Sequence, residues 1–172
     1  MFEIVDAMPR QVLRLFRGLH TYHAERLPHV FHAHGQDHEY LQILEDLSGR
    51  GAFMFGHCAG WGLVCYALVI PQNRPLGPLH QKADHIFIDH LYVAPSVRGR
   101  GLARALIEHL EDWMTCNGYC TWAVSHHAFN QQAEQLYRSA GASPAVLVHH
   151  KTLVLEQSGI VQAQQCAIGH HF

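Results

Sequence analysis

The segment Leu91-Tyr-Val-Ala-Pro-Ser-Val-Arg-Gly-Arg-Gly-Leu-Ala-Arg-Ala105 decides how the chain is read, because it begins as a strand and ends as a helix. Upstream, Ile86 to Val93 is β-branched and aromatic apart from Asp89 and His90, which predicts a strand buried on most of its surface. Downstream, Leu102, Ala105, Leu106, His109, Leu110, Trp113 and Met114 recur at three- and four-residue spacing, the period of an amphipathic helix. Between them stand Pro95, Gly99 and Gly101 with Arg98 and Arg100. Glycine lets the backbone approach a ligand, and the first N–H groups of a helix have no partner inside it. With the helix dipole and two guanidinium groups added, the turn predicts a site for a phosphate or pyrophosphate. No lysine follows the glycines as in a nucleotide P-loop, and the spacing is not Gly-x-Gly-x-x-Gly.

The spacing does match Arg/Gln-x-x-Gly-x-Gly/Ala, as Arg98-Gly99-Arg100-Gly101-Leu102-Ala103. Here the chain resembles the GNAT superfamily of acyl-CoA N-acyltransferases, whose members hold the CoA pyrophosphate with this signature. Read alone, the six residues also fit a tight connection between a strand and a helix. A second stretch, Asn130-Gln-Gln-Ala-Glu-Gln-Leu-Tyr-Arg-Ser-Ala-Gly-Ala142, is similar to the second signature of that superfamily, Asn-x-x-Ala-x-x-Leu/Phe-Tyr-x-x-x-Gly-Phe. Ala142 is the departure, removing one core-facing aromatic contact without touching the chemistry. The resemblance covers residues 1–155 as a single domain and leaves 156–172 as a C-terminal tail or dimer arm.

The rest of the chain agrees. A chain of 172 residues suits one domain that buries roughly 70% of its unfolded surface. A hydrophobic content of 48%, a charged content of 15% and a net charge of −2 describe a globular protein without a nucleic-acid or membrane footprint. No apolar run reaches the ~18 residues of a membrane span, and Met1–Arg10 has no basic start followed by an apolar block, so a cytoplasmic protein is expected. Cys58, Cys65, Cys116, Cys120 and Cys166 show no framework spacing and are expected as reduced thiols.

Phe2–Asp6 reads as a strand, and a helix entered at Pro9 carries Val12, Leu13, Phe16 and Leu19 on one face. The polar stretch Ala24–Gln36 is a long loop, and Asp37 is placed to cap a second helix running to Leu47. Ala52–His57 and Trp61–Ile70 read as a hairpin, Pro71–Ala83 as a loop, Tyr119–Ser125 as a strand and Ala145–Leu155 as the last strand. That order resembles the GNAT order, and the resemblance implies an α/β fold: a mixed, mostly antiparallel central sheet that splays after its central strand, with helices on both faces.

The resemblance implies acetyl-CoA as cosubstrate and direct transfer of its acetyl group, within a ternary complex, to a primary amine of a small molecule or peptide. It implies a bulge in the central strand whose main chain, at Leu91, Tyr92 and Val93, meets the thioester and the pantetheine arm, with Arg98, Gly99, Arg100, Gly101, Leu102 and Ala103 on the pyrophosphate. Tyr137 stands where the family's tyrosine meets the leaving thiolate, and Asn130 can cap its helix or bond the CoA arm. A homodimer is the assembly common among relatives.

An amine protonated at neutral pH must lose a proton before it attacks. Asp89, in an otherwise apolar strand, is a candidate base, and its alternative is to partner a buried His or Arg. By strand alternation His90 faces the other side, so only one of the two faces the acceptor unless a bulge intervenes. His126 and His127 are further candidates, as is a water chain.

Seventeen histidines invite a metal reading, best at His32, His34 and His38, but a single loop cluster without a second pair is a weak zinc pattern, so no metal is expected. The segment Tyr22–Phe31 resembles the family's acceptor loop. Glu25, Asp37, Glu39, Glu45 and Asp46 nearby hint at a cationic acceptor, and a solvated helix face explains Glu45 and Asp46 equally well. Two readings stand against an enzyme: a catalytically silent acyl-CoA binding module, and a histidine-rich metal-binding or pH-responsive interaction protein.

Overall fold

A computed structural model describes residues 3–60 and 62–151. Expectations at Phe2, Trp61, Cys166 and 152–172 lie outside the described residues. The chain divides into two compact units, Met1–Ala142 and Ser143–Phe172.

In the first unit β1 (Glu3–Asp6) leads to α1 (Pro9–Arg26) and α2 (Asp37–Gly49). Then come β2 (Phe53–Ala59), β3 (Gly62–Arg74), β4 (Ala83–Val93), α3 (Leu102–Cys116), β5 (Trp122–Val124) and α4 (Gln131–Ser139). The strands form one sheet in the order β1-β2-β3-β4-β5. Neighbours are antiparallel except β4 and β5, which run parallel. This is the mixed α/β sheet expected from the sequence.

Alternation along β3 divides the core in two. Tyr66 and Leu68 point to α1 and α2, where they meet Val12, Leu15, Phe16, Tyr40 and Leu44. Cys65, Ala67 and Val69 point to α3, whose Leu102, Leu106, Leu110 and Met114 recur every four residues on one helical face. With both faces covered, β3 reads as a nearly continuous apolar run. At Gly18 α1 passes so close to β4 that an added Cβ would sit 2.7 Å from Tyr92 Oη. Glycine there lets the Tyr92 ring reach past the helix.

Several local expectations are corrected. The cap of α2 is Gln36, not Asp37: the Gln36 N–H donates to Glu39 Oε2 at 2.6 Å, while Asp37 begins the helix and pairs with Arg17. β3 continues through Pro71 to Arg74, and β4 starts at Ala83, so the loop shrinks to 75–82. A proline fits inside this strand because β2 pairing ends at Val69, leaving that edge of β3 without a ladder to break. β5 is only Trp122–Val124.

In the second unit, residues 143–151 form no strand, so the strand expected from Ala145 is missing over its described part. Val146 and Leu147 are each 80% exposed, and side chains left this open gain none of the packing that favours a strand. Among the described residues no helix is long and apolar enough to cross a membrane.

Candidate active site

The parallel pairing of β4 with β5 covers only Ile86, Ile88 and the residue between them, opposite Trp122–Val124. Beyond Ile88 the two strands pair no further among the described residues, and the sheet opens. A cleft of about 290 Å³ lies in that region. One wall is Leu91, Tyr92 and Val93 of β4; another is Arg98, Gly99, Gly101, Leu102 and Ala103; a third is Asn130, Ala133, Leu136 and Tyr137 of α4 and its start. Ten of the twelve residues expected at the site thus meet around one cleft, whereas Arg100 and Asp89 do not line it.

The turn has the geometry its glycines predict. Gly99 and Gly101 hold φ of 76° and 74°, the left-handed region that a side chain disfavours, and Gly101 is the residue from which α3 starts. Arg98 turns inward: its Nε donates to the Val93 carbonyl at 3.0 Å, and its guanidinium lies 5.7 Å from the Tyr92 ring and 5.9 Å from the Tyr22 ring. Arg98 therefore ties the turn to the end of β4. Asn130 caps α4, its Oδ1 accepting from the Ala133 N–H at 3.2 Å. Tyr137 is 8% exposed, and burial pushes its phenol up to about 12, so it carries its proton at any ordinary pH.

The bulge lies earlier than expected. Leu68 opposes His90 and Val69 opposes Ile88, leaving Asp89 as the extra residue on β4. The correction follows from register: an inserted residue breaks alternation where it sits, at Asp89, and not at Leu91–Val93. Its consequence is chemical, because Asp89 and His90, two neighbours that alternation would separate, come to one face. His90 Nε2 lies 3.4 Å from Asp89 Oδ2, and Tyr66 Oη lies 3.2 Å from His90 Nδ1. Burial, then the Asp89 and Tyr92 charges, raise the Tyr66 phenol well above its usual range, so it keeps its hydrogen. A carboxylate only accepts, so a neutral His90 presents Nε2–H to Asp89, and Nδ1 is left to accept from the Tyr66 hydroxyl. Burial lowers the His90 pKa, and Asp89 opposes that shift.

Sequence reading did not assign Leu19, Val97, Arg104 or Gln132 to the site, and they also line the cleft. Leu19 and Tyr22 are three apart on α1, one helical face, a signal that was available. Arg104 was not legible: its Nη1 donates to the Ser139 carbonyl at 2.7 Å, a contact between two helices. His126, a candidate base, lies 6.0 Å from the Tyr137 ring, and His127 lies 5.2 Å from His23. Among the described residues no three His, Cys, Asp or Glu side chains are grouped to hold a metal ion, His32, His34 and His38 included.

His23 is lowered to about 4, first by burial and then by His127, His90 and His20. Its folded pKa is depressed, so between about pH 6.5 and about 4 the unfolded chain binds more protons, and stability falls as pH falls through that window. The thermal midpoint should decline less steeply from pH 7 to pH 4.5 in His23→Gln than in the parent chain. Parallel curves would remove His23 from the acid response.

Comparisons with known proteins place the fold. The structure resembles a tetramutant of the BH1408 protein of Bacillus halodurans, with TM-score 0.78, 18% identity, and 88% of this chain and 99% of that chain covered. It also resembles a ribosomal-protein-alanine N-acetyltransferase of Brucella melitensis biovar Abortus 2308, with TM-score 0.65, 20% identity and coverage of 89% and 100%. A third similar structure is an aminoglycoside N-acetyltransferase in complex with CoA, with TM-score 0.64, 20% identity and coverage of 89% and 96%. At these identities the likeness shows the fold. No curated protein sequence matches. Residues 15–142 match the model of the acetyltransferase (GNAT) family, and with most of its length inside that match the chain belongs to the GNAT family of acetyltransferases.

Proposed function

We propose that the protein is an acetyl-CoA-dependent N-acetyltransferase that passes an acetyl group directly to a primary amine in a ternary complex. The observation that carries the reading is the single cleft shared by the end of β4, the glycine turn before α3 and Tyr137. In this reading the main-chain N–H groups of Gly99, Gly101, Leu102 and Ala103, with Arg98 and Arg100, hold the pyrophosphate at the start of α3. The pantetheine arm runs along Leu91–Val93, where the open edge of β4 offers main-chain donors to the thioester carbonyl, and Asn130 flanks it.

The amine nitrogen attacks the carbonyl carbon, forming the C–N bond as the C–S bond breaks. Asp89 takes the proton the nitrogen gives up. His90 presents Nε2–H to that carboxylate and Tyr66 fixes the ring's tautomer, so both act as positioning residues. Tyr137 donates a hydrogen bond to the departing sulfur.

The direct test is release of free CoA from acetyl-CoA in the presence of primary amines, with Asp89→Asn beside the parent chain. Asp89→Asn should lower kcat about a hundredfold with the acetyl-CoA Kd unchanged. Unaltered kcat would take the proton away from Asp89.

A further inference from the structure

Beside the cleft, the end of α1, the 27–36 loop and the segment after β5 bring five rings into one wall. His23 lies 5.6 Å from Phe31, and Phe31 lies 5.5 Å from His127. His127 stacks on Phe129 at 5.7 Å with the planes 7° apart. Tyr22, which also lines the cleft, meets Phe129 at 5.9 Å. All five are partly open to solvent, so ring surface remains for a ligand to cover.

The charge around this wall selects against a polycation. Two guanidinium groups lie over Tyr22, that of Arg26 at 4.2 Å and that of Arg98 at 5.9 Å. The acidic residues that hinted at a cationic acceptor, Glu25, Asp37, Glu39, Glu45 and Asp46, are exposed, and none lines the cleft. Asp89 lies 3.4 Å from His90 on the face of β4 that packs against α1, where His90 meets Phe16 at 5.1 Å, on the helix that also carries Tyr22 and His23. One carboxylate matches one ammonium. Ring faces and edges, together with the His23 imidazole that burial keeps neutral, suit a flat apolar body better than further charges.

We propose that this ring wall is the acceptor subsite and that the acceptor is a primary monoamine on a flat aromatic body, not a polyamine or an aminoglycoside. The inference rests on the acetyltransferase reading above and narrows it. The aromatic body covers Phe31 and the His127–Phe129 stack while its amine reaches toward Asp89. There the nitrogen bonds to the acetyl carbon, its proton passes to Asp89, and CoA leaves as the thiolate.

CoA release would be compared for 2-phenylethylamine, tryptamine, spermidine and kanamycin, with Phe31→Ala, His127→Ala and His127→Phe. The arylalkylamines should exceed the polycations at least about tenfold in kcat/KM, and Phe31→Ala and His127→Ala should each raise the arylalkylamine KM about tenfold with the acetyl-CoA KM unchanged. His127→Phe should restore the parent KM, because the stack needs a ring and not a proton. Equal or better turnover of spermidine or kanamycin, or an arylalkylamine KM insensitive to both alanine variants, would overturn the inference alone. Acetyl-CoA binding without CoA release for any of the four amines would overturn it together with the acetyltransferase reading.

Discussion

Gly101→Glu should weaken acetyl-CoA binding at least a hundredfold by calorimetry, on the order of the loss of two charge-assisted hydrogen bonds. Two effects combine at this position. Gly101 holds φ 74° and ψ 4°, a conformation that costs other residues roughly 1–2 kcal/mol. An added Cβ there meets nothing within 4 Å, so the substitution leaves the fold standing and fills the turn instead. The new carboxylate then occupies the place proposed for the pyrophosphate, at the helix end whose dipole favours an anion. Gly101→Ala separates the two effects, since it carries the backbone strain without the charge, and it should bind more tightly than the glutamate variant. Unchanged affinity in Gly101→Glu would remove the phosphate from this turn.

The second large effect is expected at Tyr137. Tyr137→Phe should lower kcat about a hundredfold while the acetyl-CoA Kd stays within about twofold. The ring and its packing against Trp122, 6.3 Å away, survive the change, and only the hydroxyl is lost. Magnitudes decide how that hydroxyl acts. A phenol at about 12 faces a thiol whose ordinary pKa is near 8.5, so complete proton transfer is uphill by roughly 3 to 4 pK units. Tyr137 therefore acts by donating a hydrogen bond as charge builds on sulfur, and it should add no basic limb to the pH profile below about pH 11. Parent-like turnover in Tyr137→Phe would reduce the residue to a packing role.

The sequence by itself determined the parts of this protein whose causes are local. The strand-to-helix turn is legible because glycine spacing and helical periodicity act within a few residues: Gly99 and Gly101 take positive φ and Leu102 opens α3 where the pattern says. The cap at Asn130 follows equally from short-range pattern. Local signals also misled. Asp37 has the chemistry of a cap, but Arg17 of another helix takes it, and Pro71 has the chemistry of a loop, but the end of β2 leaves it room in a strand.

The tertiary structure alone decided what depends on register and on residues distant in the chain. The bulge at Asp89 exists because β3 and β4 pair in two registers, and without it Asp89 and His90 would face opposite sides of the sheet. The ring wall joins His23 and Phe31 to His127 and Phe129 across most of the chain. Side-chain contacts of that kind arise only when separate elements pack, so no periodicity in the sequence encodes them.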